Sequence, residues 1–260
     1  LHPRPGCVPE PKVVETHQFF GGNVVAEQII TNCRLPHADP AARFTVGLDS
    51  EGTISQVDPA TPRNPQNPQN PPTIDVEGAL LAPAFVNGHL HLDKVHTLER
   101  IGDDAISAYH AQGMGGAMTA IELASAVKRD YDRAWLVPNI RRALDQAVRH
   151  GNTVIRAFAD VDTTAGLEGL MAVLEAREEY RDRVDVQVVA FPQDGLLRDP
   201  GAAELIEEAL KLGADCVGGI PWIEFTDEDA RRHVADMFDL AERYDRPVSM
   251  LVDDAGDAGL

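Results

Sequence analysis

The residues with the clearest capacity for chemistry stand together in the run Asn87-Gly88-His89-Leu90-His91-Leu92-Asp93-Lys94. On extended backbone, residues two apart project to the same side, so His89 and His91 can offer two imidazoles to one cation. Zinc and iron accept imidazole nitrogen readily, and a neighbouring carboxylate such as Asp93 can orient a ligand histidine through its second ring nitrogen. An ion held in this way lowers the pKa of a bound water and makes it a nucleophile near neutral pH. A bare His-x-His also occurs in ordinary surface loops, so the pair gains meaning only from the elements that position it.

Those elements follow a regular alternation. Residues 79–86, ALLAPAFV, read as a strand, which puts the two histidines just beyond its carboxyl end. A long irregular stretch, residues 93–130, exceeds ordinary loop lengths and contains Gly113, Gly115 and Gly116, as a lid or substrate loop would. Val137, Ile140, Leu144 and Val148 then recur at helical spacing over residues 132–150, with Gly151 as the left-handed stop. Strands are expected at 153–158, 184–191, 216–220 and 247–252, with helices at 166–181, 202–212 and 227–244 between them. In the last helix Val234, Met237, Phe238 and Ala241 are expected to face inward. Five βα-type strands fit either part of a (β/α)8 barrel or an open doubly wound sheet, and periodicity does not choose between them.

Upstream, residues 24–57 alternate as short strands, with Asp49, Ser50, Glu51 and Gly52 as a hairpin turn. The Pro- and Asn-rich tract at 61–72, TPRNPQNPQNPP, can form neither ladder nor helix and reads as an exposed loop. The whole chain has 260 residues and a net charge of -19, a polyanion unsuited to a phosphate-backbone partner, so nucleic acid is not an expected ligand. Cys7, Cys33 and Cys216 are far apart and odd in number, which disfavours a disulfide framework and points to a reducing cytoplasm. No apolar run approaches the roughly 20 residues of a membrane helix, and the first residues lack an apolar secretory core. The chain opens on Leu1 rather than Met, so a trimmed or incomplete start is expected. Cys216 reads as a small core residue, and the Gly218-Gly219 pair as a close-packing point rather than a phosphate loop. His96 and His110 read as polar residues of the long loop.

From Leu80 to the end the sequence resembles the cytosine deaminase branch of the metal-dependent amidohydrolase superfamily, which also includes aminohydrolases of triazine rings. The resemblance runs in order through LLAPAFVNGHLHLDK, GNTVIRAFADVD, DVQVVAFPQDG, LGADCVGGIPWIEFT and LAERYDRPVSMLVDD. It implies an α/β fold: a partial TIM-type (β/α)8 barrel over residues 79–260, about five strands of it, after an N-terminal β-sandwich-like segment over residues 1–78. It also implies hydrolytic deamination of a cytosine-like or triazine-like heterocycle, with one divalent ion, zinc or iron. His89 and His91 match the first two metal ligands, Gln193 matches the glutamine that hydrogen-bonds the ring, and Asp254 falls at the position of a proton-shuttling Glu. The implied partner is a small heterocyclic substrate, in a homo-oligomer as relatives imply. Three departures weaken the match: Leu251 stands where relatives have a metal-binding His, Phe158 replaces another histidine, and Trp222 a third. An ion held by two imidazoles alone is bound weakly, with Asp253 as a speculative substitute ligand. The alternative is a catalytically impaired chain that keeps the fold and binds a ligand or partner.

Overall fold

A computed structural model of the protein describes residues 27–60, 71–97, 100 and 127–252. The chain divides into two compact units, residues 1–83 and 84–260. The first contains β1 (Gln28–Cys33), β2 (Phe44–Leu48), β3 (Ile54–Pro59) and β4 (Thr73–Asp75) in the order β3-β2-β1-β4. Neighbours are antiparallel except β4, which runs parallel to β1. The expected hairpin is present: the Asp49 carboxylate accepts the Glu51 and Thr53 amide protons, and Gly52 takes the left-handed φ of 78° that closes the turn. Most of the Pro-rich tract lies outside the described residues.

The expected strand at 79–86 is divided between the units. Arg34 N–H donates to Ala79 carbonyl and Leu81 N–H to Arg34 carbonyl, so residues 79–81 are taken up by the first unit. The barrel strand, β5 (Phe85–His91), starts beyond Pro83. Local hydrophobicity could not reveal this, because both halves of the run are apolar and only their partners differ. His89 and His91 consequently lie within the last turns of the strand rather than after it.

The second unit continues with α1 (Arg133–Arg149), β6 (Asn152–Asp160), α2 (Glu168–Tyr180), β7 (Asp185–Phe191), α3 (Ala202–Leu212), β8 (Cys216–Gly219), α4 (Asp227–Tyr244) and β9 (Val248–Met250). The five strands are all parallel and lie in chain order, β5-β6-β7-β8-β9. A doubly wound sheet reverses its order at a switch point and carries helices on both faces. Here Ile155, Ala157, Val186, Val188 and Val217 pack on one face against Leu136, Ile140, Val173, Ile206 and Met237 of the four helices. Their neighbours Phe158, Val189, Phe191 and Cys216 alternate onto the other, concave face. Consecutive right-handed crossovers on one side curl the sheet into half of a TIM-type barrel. At Gly218 a Cβ would lie 2.4 Å from the Ala190 carbonyl, so the close approach of β8 to β7 requires glycine there.

Helix α4 is rotated from the expected phase. Met237 and Ala241 are buried as expected, but Phe238 is 55% exposed and His233 is fully buried in its place. The polar ring is tolerated because both nitrogens are bonded: Nε2 accepts the Ile220 amide proton at 3.2 Å, which leaves the ring proton on Nδ1 to donate to Glu224 at 2.7 Å. The Glu224 carboxylate also accepts amide protons from Leu196, Leu197 and Arg198, so it ties the loop after β7 to the one after β8. Burial alone would raise the Glu224 carboxyl, but His233 and these amides hold it below its usual 4.5. A depressed folded value means that the carboxylate's stabilisation is in place above the ordinary carboxylate range and is lost as pH falls through it. Glu224→Gln should therefore cost about 1–3 kcal/mol at neutral pH and progressively less in acid. Urea melts at about pH 7 and about pH 3.5 would check this; an equal loss at both would refute it.

Candidate active site at the strand ends

The carboxyl ends of successive strands bring the chemistry together. β5 contributes His89 and His91, and a single 3-10 turn, Leu92–Lys94, follows directly. β6 ends on Asp160, with Asp162 two residues on; Gln193 and Asp194 follow β7. This is the face on which barrel enzymes build their sites. The His89 and His91 ring centres are 5.1 Å apart. Two imidazoles sharing a tetrahedral ion, at zinc–nitrogen distances of about 2.0–2.1 Å, would hold their centres about 5 Å apart, a spacing the pair meets.

Aromatic rings back the pair. Phe158 stacks on His89 with centres 4.3 Å apart, while Phe158 and Phe191 both lie 5.5 Å from His91. Burial in this wall lowers the His91 pKa, the charges of Lys94 and His89 adding to the effect against Asp160. The neutral ring keeps the lone pair that a cation needs.

The carboxylate in reach of His91 is Asp160, with Oδ1 3.7 Å from Nδ1. Asp93, expected to orient a ligand histidine, lies in the same cluster but engages other partners through one of its oxygens. Its Oδ2 accepts the Asp160 amide proton at 3.0 Å and the Tyr131 hydroxyl at 3.2 Å. Complete burial and the adjacent Asp160 charge push the Asp93 carboxyl well above the usual range. Asp160 moves the other way: burial opposes ionisation, but Lys94, His91 and Lys128 together hold its carboxyl far below 3.8. Among the described residues, one group of three, His91, Asp93 and Asp160, has ligand atoms within 4.8 Å of one another, a cluster that could hold a metal.

Two lysines complete the arrangement, and neither had been assigned a role from sequence. Lys94 Nζ lies 2.9 Å from Asp160 Oδ1 and donates to Gln193 Oε1 at 2.7 Å. Lys128 is 1% exposed and reaches Asp162 at 2.6 Å, Asp194 at 2.8 Å and Asp160 at 3.4 Å. Despite the cost of burial, these three carboxylates raise its pKa, so the ammonium is retained. The available signal was the Asp160-x-Asp162 spacing at a strand end, which places two carboxylates on one side.

Gln193 is largely buried at the end of β7, and Leu251 packs against the apolar cluster of Phe158, Phe191 and Ile220. Trp222 packs there too, so the three positions expected to depart from the family pattern meet on one apolar wall. Asp253, Asp254 and His110 lie outside the described residues. Cys216 is buried and its thiol pKa is raised by burial, consistent with a core role.

The profile of the amidohydrolase family matches residues 72–259. The chain belongs to that family. N-isopropylammelide isopropyl amidohydrolase from Pseudomonas sp. (strain ADP) is 33% identical over 190 residues, which is 72% of this chain and 45% of that protein. Among solved structures, 5-methylcytosine deaminase from Klebsiella pneumoniae liganded with 5-fluorocytosine superposes with a TM-score of 0.75 at 30% identity, covering 87% of this chain and 51% of that one. N-isopropylammelide isopropylaminohydrolase from Burkholderia multivorans gives 0.57 at 31%, covering 86% and 52%. The amidohydrolase chain described here thus spans about half the length of the relatives it matches. The family is metal-dependent, in keeping with the cluster at its strand ends. No helix among its described residues is long and apolar enough to cross a membrane.

Proposed function

We propose that the protein is a metal-dependent hydrolase that deaminates a cytosine-like or triazine-like heterocycle in the cytoplasm. The observation that carries this reading is the His89–His91 pair, its rings 5.1 Å apart at the end of the first barrel strand, with Gln193 at the end of the third. His89 and His91 would hold one divalent ion, zinc or iron, with the Asp160 carboxylate 3.7 Å from His91 Nδ1 supplying negative charge beside the site. When bound, that ion supplies an activated water close to neutral pH. Gln193 hydrogen-bonds the ring edge and sets which carbon faces the histidines. Phe158 and Phe191 keep water from the flank of the pair, which strengthens every charge interaction inside it. Asp254 moves the proton to the leaving amine, one methylene shorter than a Glu would be. The full chain, supplied with zinc or iron, should release ammonia from at least one of cytosine, isocytosine and aminotriazines in a coupled assay. Silence across that panel with metal bound would reject the substrate class.

One observation favours a second reading, a barrel that binds its ligand without turnover: Leu251 offers no lone pair and is packed among aromatic side chains. Leu251→His should tighten zinc by about tenfold or more in a competition titration if the ion sits between β5 and β9. Unchanged affinity would place the ion elsewhere or favour the binding-only barrel.

A further inference from the structure

Lys94 joins two groups that the deaminase reading uses for different purposes. Its ammonium touches Asp160, the carboxylate facing His91, and Gln193, the amide assigned to the ring. The two contacts span the ends of β5, β6 and β7, and the hydrogen-bonded residues are 99 positions apart in sequence.

The chemistry of the contact fixes the amide. A side-chain amide can be turned end for end at little cost in shape, exchanging an acceptor for two donors. An ammonium has only donors, so the atom 2.7 Å from Lys94 Nζ must be the carbonyl oxygen. Asp160 holds Lys94 from its other side at 2.9 Å, and Asp160 is in turn held by Lys128 at 3.4 Å. The Gln193 backbone is pinned as well, its N–H donating to the Phe191 carbonyl at 3.0 Å. With one lone pair of the oxygen held by Lys94, the NH2 group is the end of Gln193 that has no partner among the described residues. Among the described residues, the Gln193 side chain makes this one hydrogen bond.

We propose that Lys94 is a positioning residue that sets specificity: by locking the Gln193 amide it makes the site select a ring whose facing edge is a hydrogen-bond acceptor, a ring carbonyl or an unprotonated ring nitrogen. A ring that presents an amino or N–H group at that edge faces the Gln193 NH2 and the Lys94 ammonium, both donors, and binds more weakly. The inference rests on the reading that Gln193 contacts the ring, and adds the sign of the contact and the residue that imposes it.

A pair of rings of the same outline tests it, 1-methyl-4-pyridone with an oxo group and 4-methylaniline with an amino group, each flanked only by C–H so that neither edge mixes donor and acceptor. Their binding to the full chain is measured by calorimetry for the unchanged protein, Lys94→Met and Gln193→Leu. The unchanged protein should prefer the oxo ring by about tenfold or more, because a site built on a fixed donor leaves it unpaired against the wrong edge. In Lys94→Met the amide is free to turn, so the preference should fall to within about twofold while the oxo ring still binds. Gln193→Leu should lose affinity for the oxo ring. Lys94 acting only as structural support would weaken both rings alike and leave the ratio unchanged. That ratio, kept in Lys94→Met while Gln193→Leu loses binding, overturns the role of Lys94 alone. Equal binding by Gln193→Leu, or binding of neither ring by the unchanged protein, overturns the ring contact and this inference with it.

Discussion

Lys128→Met should destabilise the protein by about 3–5 kcal/mol, the cost of leaving buried charges without their partner. Methionine preserves most of the length and apolar volume of the lysine, so the loss isolates the ammonium. That ammonium lies within 2.6–3.4 Å of Asp162, Asp194 and Asp160, and Asp160 and Asp162 are wholly buried. Only Asp160 retains a second lysine, Lys94. The deficit should shrink in acid, and the sign follows from Asp160. Burial works against its ionisation, but Lys94, His91 and Lys128 keep its carboxyl below the unfolded value of 3.8. Its stabilisation is therefore present above that value and is lost as pH falls beneath it. Removing Lys128 raises the folded value, so protonation relieves the variant sooner than the parent. Urea unfolding at neutral and acid pH reads both effects. A loss under about 1 kcal/mol at neutral pH would mean that water already screens the three carboxylates.

The largest effect on activity is expected at the first barrel strand. His91→Ala should abolish stoichiometric zinc or iron and reduce deamination by at least about a thousandfold, since activation of water depends on the ion. The side chain is partly enclosed by Phe158 and Phe191, and its Nδ1 faces Asp160. Loss of the ring would take away the proposed ligand and the group that the Asp160 carboxylate faces. His89→Ala should act in the same direction. Metal content and ammonia release are measured on the same preparations, with circular dichroism to confirm the fold. A variant that keeps its metal and its rate would remove these histidines from the centre.

Much of this could be read along the chain. The helices at Ala202–Leu212 and Asp227–Tyr244 lie where the sequence places them, the first ending at Gly213 as expected. The hairpin at Asp49–Gly52 follows from turn chemistry alone, and His89 and His91 stand out because a period of two places both rings on one side. Other readings failed for identifiable reasons. The apolar run at 79–86 is shared by two units because Arg34, 45 residues before Ala79, captures its first part, a pairing invisible to any local window. Phe238 was expected inside α4, yet the helix turns His233 inward, because Ile220 and Glu224 satisfy both of its nitrogens. Asp93 reads as a carboxylate that can orient a ligand histidine, and what the sequence did not reveal is that its Oδ2 accepts from the Tyr131 hydroxyl and the Asp160 amide.

By itself, the sequence determined the alternation of strand and helix, the paired imidazoles at a strand end and the kinship with amidohydrolases, all of which depend on residue types at short, regular spacing. The tertiary structure alone decided that the strands follow chain order with every helix on one side, which makes a half-barrel rather than a doubly wound sheet. It also decided which charges meet: Lys128 finds Asp162 and Asp194 across 34 and 66 residues, and Lys94 finds Gln193 across 99. The physical reason is that backbone periodicity is a local property, whereas a buried ion pair exists only where separate strand ends converge away from water.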